Sequence, residues 1–383
     1  MGDVFFSPVP RGLEEALAEE LGAIGASGVR LLPGGVEWRG DWPACWRANL
    51  ESRLATRVLW RVGNGRYRNE TDIYQLAQSL TWAKWFTPNE TIRVFVTARQ
   101  SPLKSLEFIT LRIKDAVCDH FRAVRGSRPS VDTAHPMVRI YAFLDRDEVT
   151  LYLDTSGEPL YKRGFKLGTV EAPLKENLAA GILRLTGWQT DEPLADPMCG
   201  SGTFLIEAAQ IALSIAPGLG RQFAFERLRS FHASAWAAIR KEAEARRQPA
   251  RILPIHGSDI AGNQLRRARE NLAAAGLEHC VSLTKADLLE YLPPAAGGVM
   301  VANPPYGVRL GEEEELAAFY PRLGDALKQH WAGWRCYFFS ADMSLPRAIG
   351  LKASRRTPLF NGALECRLFE YKMISGSLRA PRQ

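Results

Sequence analysis

Paired cysteines are missing from this 383-residue sequence. Its six, Cys45, Cys118, Cys199, Cys280, Cys336 and Cys366, are widely scattered, with no CxxC pair and no histidine at ligand spacing. The reading is therefore reduced thiols, with neither a disulfide framework nor a metal site. No apolar run approaches the ~18 residues that a membrane helix needs. The opening "MGDVFFSPVPRG" also lacks the basic start and apolar middle of a signal peptide. A cytoplasmic protein without membrane contact is expected. Low-complexity tracts and repeats are absent, and no complete G-x-G-x-x-G occurs, which disfavours a dinucleotide site.

What is present is the composition of a globular chain, 46% apolar and 24% charged, long enough for two or three domains. Net charge is +7, and residues 45–130 hold fifteen Lys or Arg against seven Asp or Glu. The basic runs "RVGNGRYR" (61–68) and "RIKDAVCDHFRAVRGSR" (112–128) suit either a solvated helix face or a phosphate-contacting surface.

Residues 4–62 read as strand, helix, two strands about "PGG", helix and strand. Leu13, Ala16, Leu17, Leu21 and Ile24 fall at helical spacing. This βαββαβ order suggests a ferredoxin-like segment. From Thr71 come a helix, a strand, a long helix and two alternating strands about "DRDE" (145–148), a hairpin signature. A basic connector, "LYKRGFKLGTVEAPLKENLAA", leads to a larger part in which helices alternate with short apolar strands, the pattern of a doubly wound, mainly parallel sheet. Residues 217–247 read as a helical insertion.

The motifs fall at strand ends. "LADPMCGSGTFLIEAA" sets Gly200 and Gly202 between a strand and a helix, where backbone can approach a ligand and free N–H groups face it. Asp196 just before them attracts a cationic group. "IHGSDIAGN" ends a second strand at Asp259, either a ribose acceptor or a helix N-cap. "TKADLLEYL" ends a third at Asp287, placed to meet an adenine amino group. "VMVANPPYG" ends a fourth, since Pro304 and Pro305 cannot donate to a ladder, and leaves Asn303 and Tyr306 at its carboxyl end. Four such ends in succession point to one site. Cys199 lies in the glycine turn, but nothing beside it supplies a base, so no nucleophilic role is expected.

These residues resemble class I S-adenosylmethionine-dependent methyltransferases that modify exocyclic base amines: "DPMCGSGT" is similar to their methionine-and-ribose loop, "GSD" to their ribose acid, "KADLL" to their adenine-side motif and "NPPYG" to their catalytic motif. "LYKRGF…EAPLKENLAA", "PGLGRQFAFE" and "LFNGALECRLF" further resemble the RlmL-type bacterial 23S rRNA guanine-N2 methyltransferases. That resemblance implies an α/β chain with a ferredoxin-like segment at 1–65, a THUMP RNA-binding domain at 66–158 and a Rossmann-like class I methyltransferase domain at 159–383. It implies S-adenosylmethionine held by Asp196, Pro197, Met198, Gly200, Gly202, Thr203, Asp259, Ile260, Asp287 and Leu288. Catalysis falls to Asn303, Pro304, Pro305 and Tyr306. RNA contacts are expected at Arg66, Arg68, Arg112, Lys114, Arg122 and Arg125.

The implied substrate is a guanine in domain V of 23S rRNA, free or in a large-subunit assembly intermediate. Alternatives left open are a tRNA guanine, N6 of a DNA adenine, and a non-catalytic ribosome-assembly role. Some relatives carry a second fused methyltransferase domain; with the sequence ending at Gln383, the activity of that domain is not expected here.

Overall fold

The computed structural model describes residues 2–166, 174–304 and 312–374. The chain begins β1 (Asp3–Pro8), α1 (Glu14–Ile24), β2 (Ser27–Leu32), β3 (Gly35–Gly40), α2 (Trp42–Glu51) and β4 (Leu59–Arg66), the expected βαββαβ order. Local chemistry sets the ends. Glu14 and Glu15 suit the positive start of α1, and Asp41 caps α2 by accepting the Ala44 N–H at 2.9 Å. Then follow α3 (Glu70–Ser79), β5 (Ile92–Arg99), α4 (Leu106–Arg125), β6 (Val138–Asp145) and β7 (Glu148–Asp154). An Asn69/Asp72 capping box starts α3, and Gly126 in the left-handed region ends α4.

All seven strands form one sheet, ordered β2-β3-β1-β4-β7-β6-β5. The two N-terminal segments read separately from the sequence are thus joined by an antiparallel β4–β7 pairing from Leu59↔Asp154 to Arg66↔Glu148. The pairing hides what would otherwise be an open strand edge on each segment. Leu17, Leu21, Ile113, Phe121, Ile140 and Leu151 are fully buried in this unit.

The remaining elements are α5 (Glu176–Thr186), β8 (Leu194–Asp196), α6 (Thr203–Ala212), α7 (Ala233–Ala245), β9 (Ile255–Asp259), α8 (Gly262–Ala274), β10 (Ser282–Lys285), β11 (Gly298–Ala302), α9 (Glu312–His330), β12 (Trp334–Ser340), α10 (Leu345–Ile349), β13 (Arg355–Asn361) and β14 (Leu364–Lys372). Residues Gly218–Ala243 belong with Met1–Val9 and Leu17–Leu160 in the first compact unit; Pro10–Ala16, Tyr161–Pro217 and Glu244–Gln383 make the second. The helical insertion read at 217–247 thus packs on the N-terminal part. Its Phe223, Phe225, Phe231 and Trp236 form an aromatic cluster, in which Phe225 and Phe231 meet Trp46 of α2.

The second unit is the doubly wound sheet anticipated from the alternation, in the order β10-β9-β8-β11-β12-β14-β13. Its first five strands are parallel, and β14 runs antiparallel to both neighbours. Central β11 buries all five residues, as a strand covered on both faces must. Met300, Trp331, Trp334, Phe338 and Leu323 fill one side of it. Among the described residues no helix is long and apolar enough to cross a membrane.

Candidate active site

Four neighbouring strand ends bring the singled-out residues to one edge. β8 ends at Asp196 and β9 at Asp259, while Asn303 directly follows β11. The third strand is shorter than the sequence suggested: β10 stops at Lys285, and Asp287 sits two residues on, accepting the Leu289 N–H at 2.9 Å. From β8 the sheet grows outward one way through β9 and β10 and the other way through β11 and β12. The β8–β11 gap is thus a switch point, the kind of place where open α/β sheets leave a ligand crevice.

The turn after β8 is built for close approach. Gly200 and Gly202 have φ of 52° and 83°, a region where a side chain is strained. A Cβ on Gly202 would also meet Ala268 at 3.3 Å, whereas the space beside Gly200 is open. Gly202 caps α6 without any side-chain bond, and Thr203 opens the helix buried. Three bonds tie the turn to neighbouring segments: Cys199 N–H to the Ser258 carbonyl at 2.9 Å, Gly200 N–H to Asp259 Oδ2 at 2.9 Å, and Asn271 Nδ2 to the Ser201 carbonyl at 2.9 Å. Asn271, on α8, was not singled out from the sequence, where nothing in "RRARENLAA" distinguishes it.

Asp259 is not a helix N-cap. Its Oδ1 accepts the Ala261 N–H at 2.8 Å, and Ala261 itself occupies the cap of α8. The carboxylate thereby ties its own loop to the glycine turn. Ile260, beside it, is 63% exposed, an apolar surface next to a charged one. Leu288 instead lies in the core with Met300 and Trp331, and Met198 packs against that cluster.

Asp196 is buried and accepts the Met198 N–H at 3.3 Å. Burial pushes its carboxyl well above the usual range, and nearby Asp259 pushes the same way. Among the described residues no cationic side chain pairs with either, so this carboxylate pair lacks a counter-charge. Burial, then Asp196 and Asp259, also push the Cys199 thiol far up.

Asn303 Oδ1 is buried and accepts no hydrogen bond among the described residues. Pro304 beside it is buried too; Pro305 and Tyr306 lie outside the described residues. An acceptor left unsatisfied at a strand end costs stability, which makes it a marked feature of this edge.

Residues 163–370 match the family described as RMKL-like, methyltransferase domain. The chain belongs to that family. Residues 67–154 match the THUMP domain and residues 4–59 the RlmL ferredoxin-like domain. A protein named ribosomal RNA large subunit methyltransferase K/L from Syntrophotalea carbinolica is 40% identical over 378 residues, covering 96% of this chain and 53% of that one. The chain thus spans about half the length of the K/L relatives it matches. Protein slr0064 of Synechocystis sp., which carries a provisional RNA methyltransferase name, is 37% identical and matches over 96% of each chain. The solved structure of SMU.472 in complex with SAH superposes with a TM-score of 0.89 at 29% identity, over 98% of this chain and 99% of that one. The Rossmann-like methyltransferase fold read from the motifs is the fold found.

The basic positions picked out of this RMKL-like chain differ in their surroundings. Lys114, Arg122 and Arg125 share a face of α4, but Lys114 pairs with Asp115 and Arg122 with Asp119 at 3.0 Å. Arg112 turns toward α3 and lies 4.3 Å over the Tyr74 ring. Arg66 and Arg68 are exposed at and just beyond the end of β4, Arg66 within 4.0 Å of Asp147. In the second unit, the connector contributes pairs that sequence reading passed over. Arg163 Nε lies 3.2 Å from Glu207 Oε1, both side chains buried, and Lys166 Nζ lies 3.3 Å from Glu176 Oε1.

Proposed function

We propose that this protein transfers a methyl group from S-adenosylmethionine to the exocyclic N2 amine of a guanine in RNA, with 23S rRNA domain V as the target. On this reading residues 1–65 form the ferredoxin-like segment, residues 66–158 hold the RNA, and residues 159–383 carry out the reaction. The observation that carries it is the unsatisfied Asn303 Oδ1 at the end of β11. An acceptor without a partner among the described residues suits a substrate N–H.

The residues present fit the cofactor. The open space beside Gly200 admits a ligand against backbone, Asp259 keeps lone pairs for two ribose hydroxyls, and exposed Ile260 offers an apolar face to an adenine. Asp196 awaits a cation. When bound, S-adenosylmethionine supplies a methyl group activated by a sulfonium. Asp287 then faces the adenine amine, and the first-turn N–H groups of Thr203 and its neighbours line the carboxylate end.

A guanine amine is a poor nucleophile because its lone pair is delocalised into the ring. Asn303 Oδ1 and the Pro304 carbonyl accept its two hydrogens and aim the lone pair at the methyl group. The N–C bond forms as the C–S bond breaks, the electron pair stays on sulfur, and the amine proton leaves to solvent. Positioning supplies most of the acceleration. By sequence, Tyr306 adds a ring on which the extruded base stacks.

The test is transfer of radiolabelled methyl from S-adenosylmethionine to total rRNA, tRNA and DNA, followed by nucleoside analysis. N2-methylguanosine in large-subunit rRNA supports the reading. Label in tRNA or DNA replaces the substrate, and no label on any of them despite bound cofactor favours an assembling particle as substrate or a non-catalytic assembly role.

A further inference from the structure

A cavity of 580 Å³ opens in the second unit, lined by Tyr161, Lys162, Arg163, Lys166, Lys175 and Asn361 among others. Its volume lies within the roughly 300–1,000 Å³ of ligand pockets. None of Asp196, Asp259, Asp287 or Asn303 lines it, so it is separate from the cofactor crevice.

Its position follows from strand register. β12 runs parallel to β11, with Ala302↔Phe338, and β14 runs back along β12, with Ser340↔Arg367. Leu364, the first residue of β14, therefore lies beyond the carboxyl edge of the parallel strands. It is joined to Asn361 across the β13–β14 turn, Asn361↔Leu364. The Asn361–Gly362 wall of the cavity thus projects from the same edge as Asn303. Arg163, another lining residue, is tied to Glu207 of α6, the helix that leaves the glycine turn.

The lining is cationic. Lys162, Arg163, Lys166 and Lys175 all line it; Arg163 is paired with Glu207, and Lys166 faces Glu176, the acid in the lining, at 3.3 Å. Lys175 is the telling residue. It occupies the N-cap of α5, makes no capping bond there, and lies 5.1 Å over the Tyr161 ring. Helix starts favour Ser, Thr, Asp or Asn and disfavour positive charge. A lysine here works against its own helix and raises the positive charge of the cavity.

We propose that this cavity binds the phosphodiester groups of the RNA strand beside the nucleotide presented to Asn303. The proposal rests on the RNA methyltransferase reading for its ligand, and it adds a phosphate-holding site on the catalytic unit itself. Phosphates seated here would fix the strand at the sheet edge while the base turns inward.

The test uses the full chain and its Lys175→Ser variant, alone and with Lys162→Ser. Serine removes the charge and supplies a better helix cap, so the fold is preserved, which thermal melting checks. The probe is a fluorescein-labelled single-stranded oligoribonucleotide, titrated at several salt concentrations. The expected result is weaker binding, several-fold per lysine, with the slope of log affinity against log salt shallower by about 0.7 for each phosphate no longer neutralised. Lys175→Arg restores affinity, and S-adenosylhomocysteine binding is unchanged throughout. Variants that bind the oligonucleotide with wild-type affinity and slope overturn the cavity proposal, even if methyl transfer to RNA is intact. Conversely, lysine-dependent binding without methyl transfer keeps the cavity and overturns the reading beneath it.

Discussion

The Gly200 N–H donates to Asp259 Oδ2 across 2.9 Å, joining residues 59 positions apart in sequence on two neighbouring strand ends. One carboxylate therefore shapes the glycine turn and, on the proposed reading, also holds a ribose. Its second oxygen fixes its own loop through Ala261.

Asp259→Ala removes both functions. Hydrogen bonds to a charged group are worth about 1.5–3 kcal/mol, so S-adenosylhomocysteine affinity should fall roughly tenfold to a hundredfold. Asp259→Asn, which keeps one oxygen acceptor, should fall less. Calorimetric titration reads both, and full affinity in the alanine variant would remove Asp259 from the cofactor site.

Asn303→Ala separates chemistry from binding. The side chain follows a strand end, and its Oδ1 gives up no hydrogen bond among the described residues, so folding and cofactor affinity should persist. Turnover should drop at least about a hundredfold, since the amine is no longer positioned. Near-normal single-turnover rates in this variant would refute the proposed role.

Much of this edge was legible beforehand because strand ends announce themselves. Pro304 and Pro305 had to stop β11, and the glycines had to turn the chain after β8. The βαββαβ order and the hairpin about residues 145–148 followed from alternation and turn residues. Long-range partners left no such mark. Nothing local told that β4 would pair with β7, that residues 218–243 would pack on Trp46, or that Asn271 would hold the Ser201 carbonyl. The end of β10 was misjudged by two residues because Ala286 and Asp287 continue the strand pattern, while the Asp287 side chain folds into a turn.

The α4 arginines offer a contrast with the cavity lysines. Arg122 already faces Asp119, whereas Arg125 is exposed at the helix end. If α4 touches RNA, Arg125→Glu should weaken oligonucleotide binding more than Arg122→Glu, and both should lower the salt slope. Equal, wild-type affinities would take this face of α4 out of the RNA path.

The raised carboxyl of Asp196 predicts how cofactor affinity follows pH. A cationic ligand favours the ionised form, so below the raised value binding must first expel a proton. S-adenosylmethionine affinity should therefore climb with pH through that value, by at most about tenfold per unit, and level off above it. Methylthioadenosine, with neither sulfonium nor ammonium, should bind with a flat profile. Stability of the ligand-free protein runs the other way. Because the folded value lies above the unfolded one, the contribution of Asp196 is full below the unfolded pKa and is lost as pH rises through the folded one. Asp196→Asn should flatten both trends. Parallel pH profiles for the two ligands would show that Asp196 does not supply the missing partner of the cation.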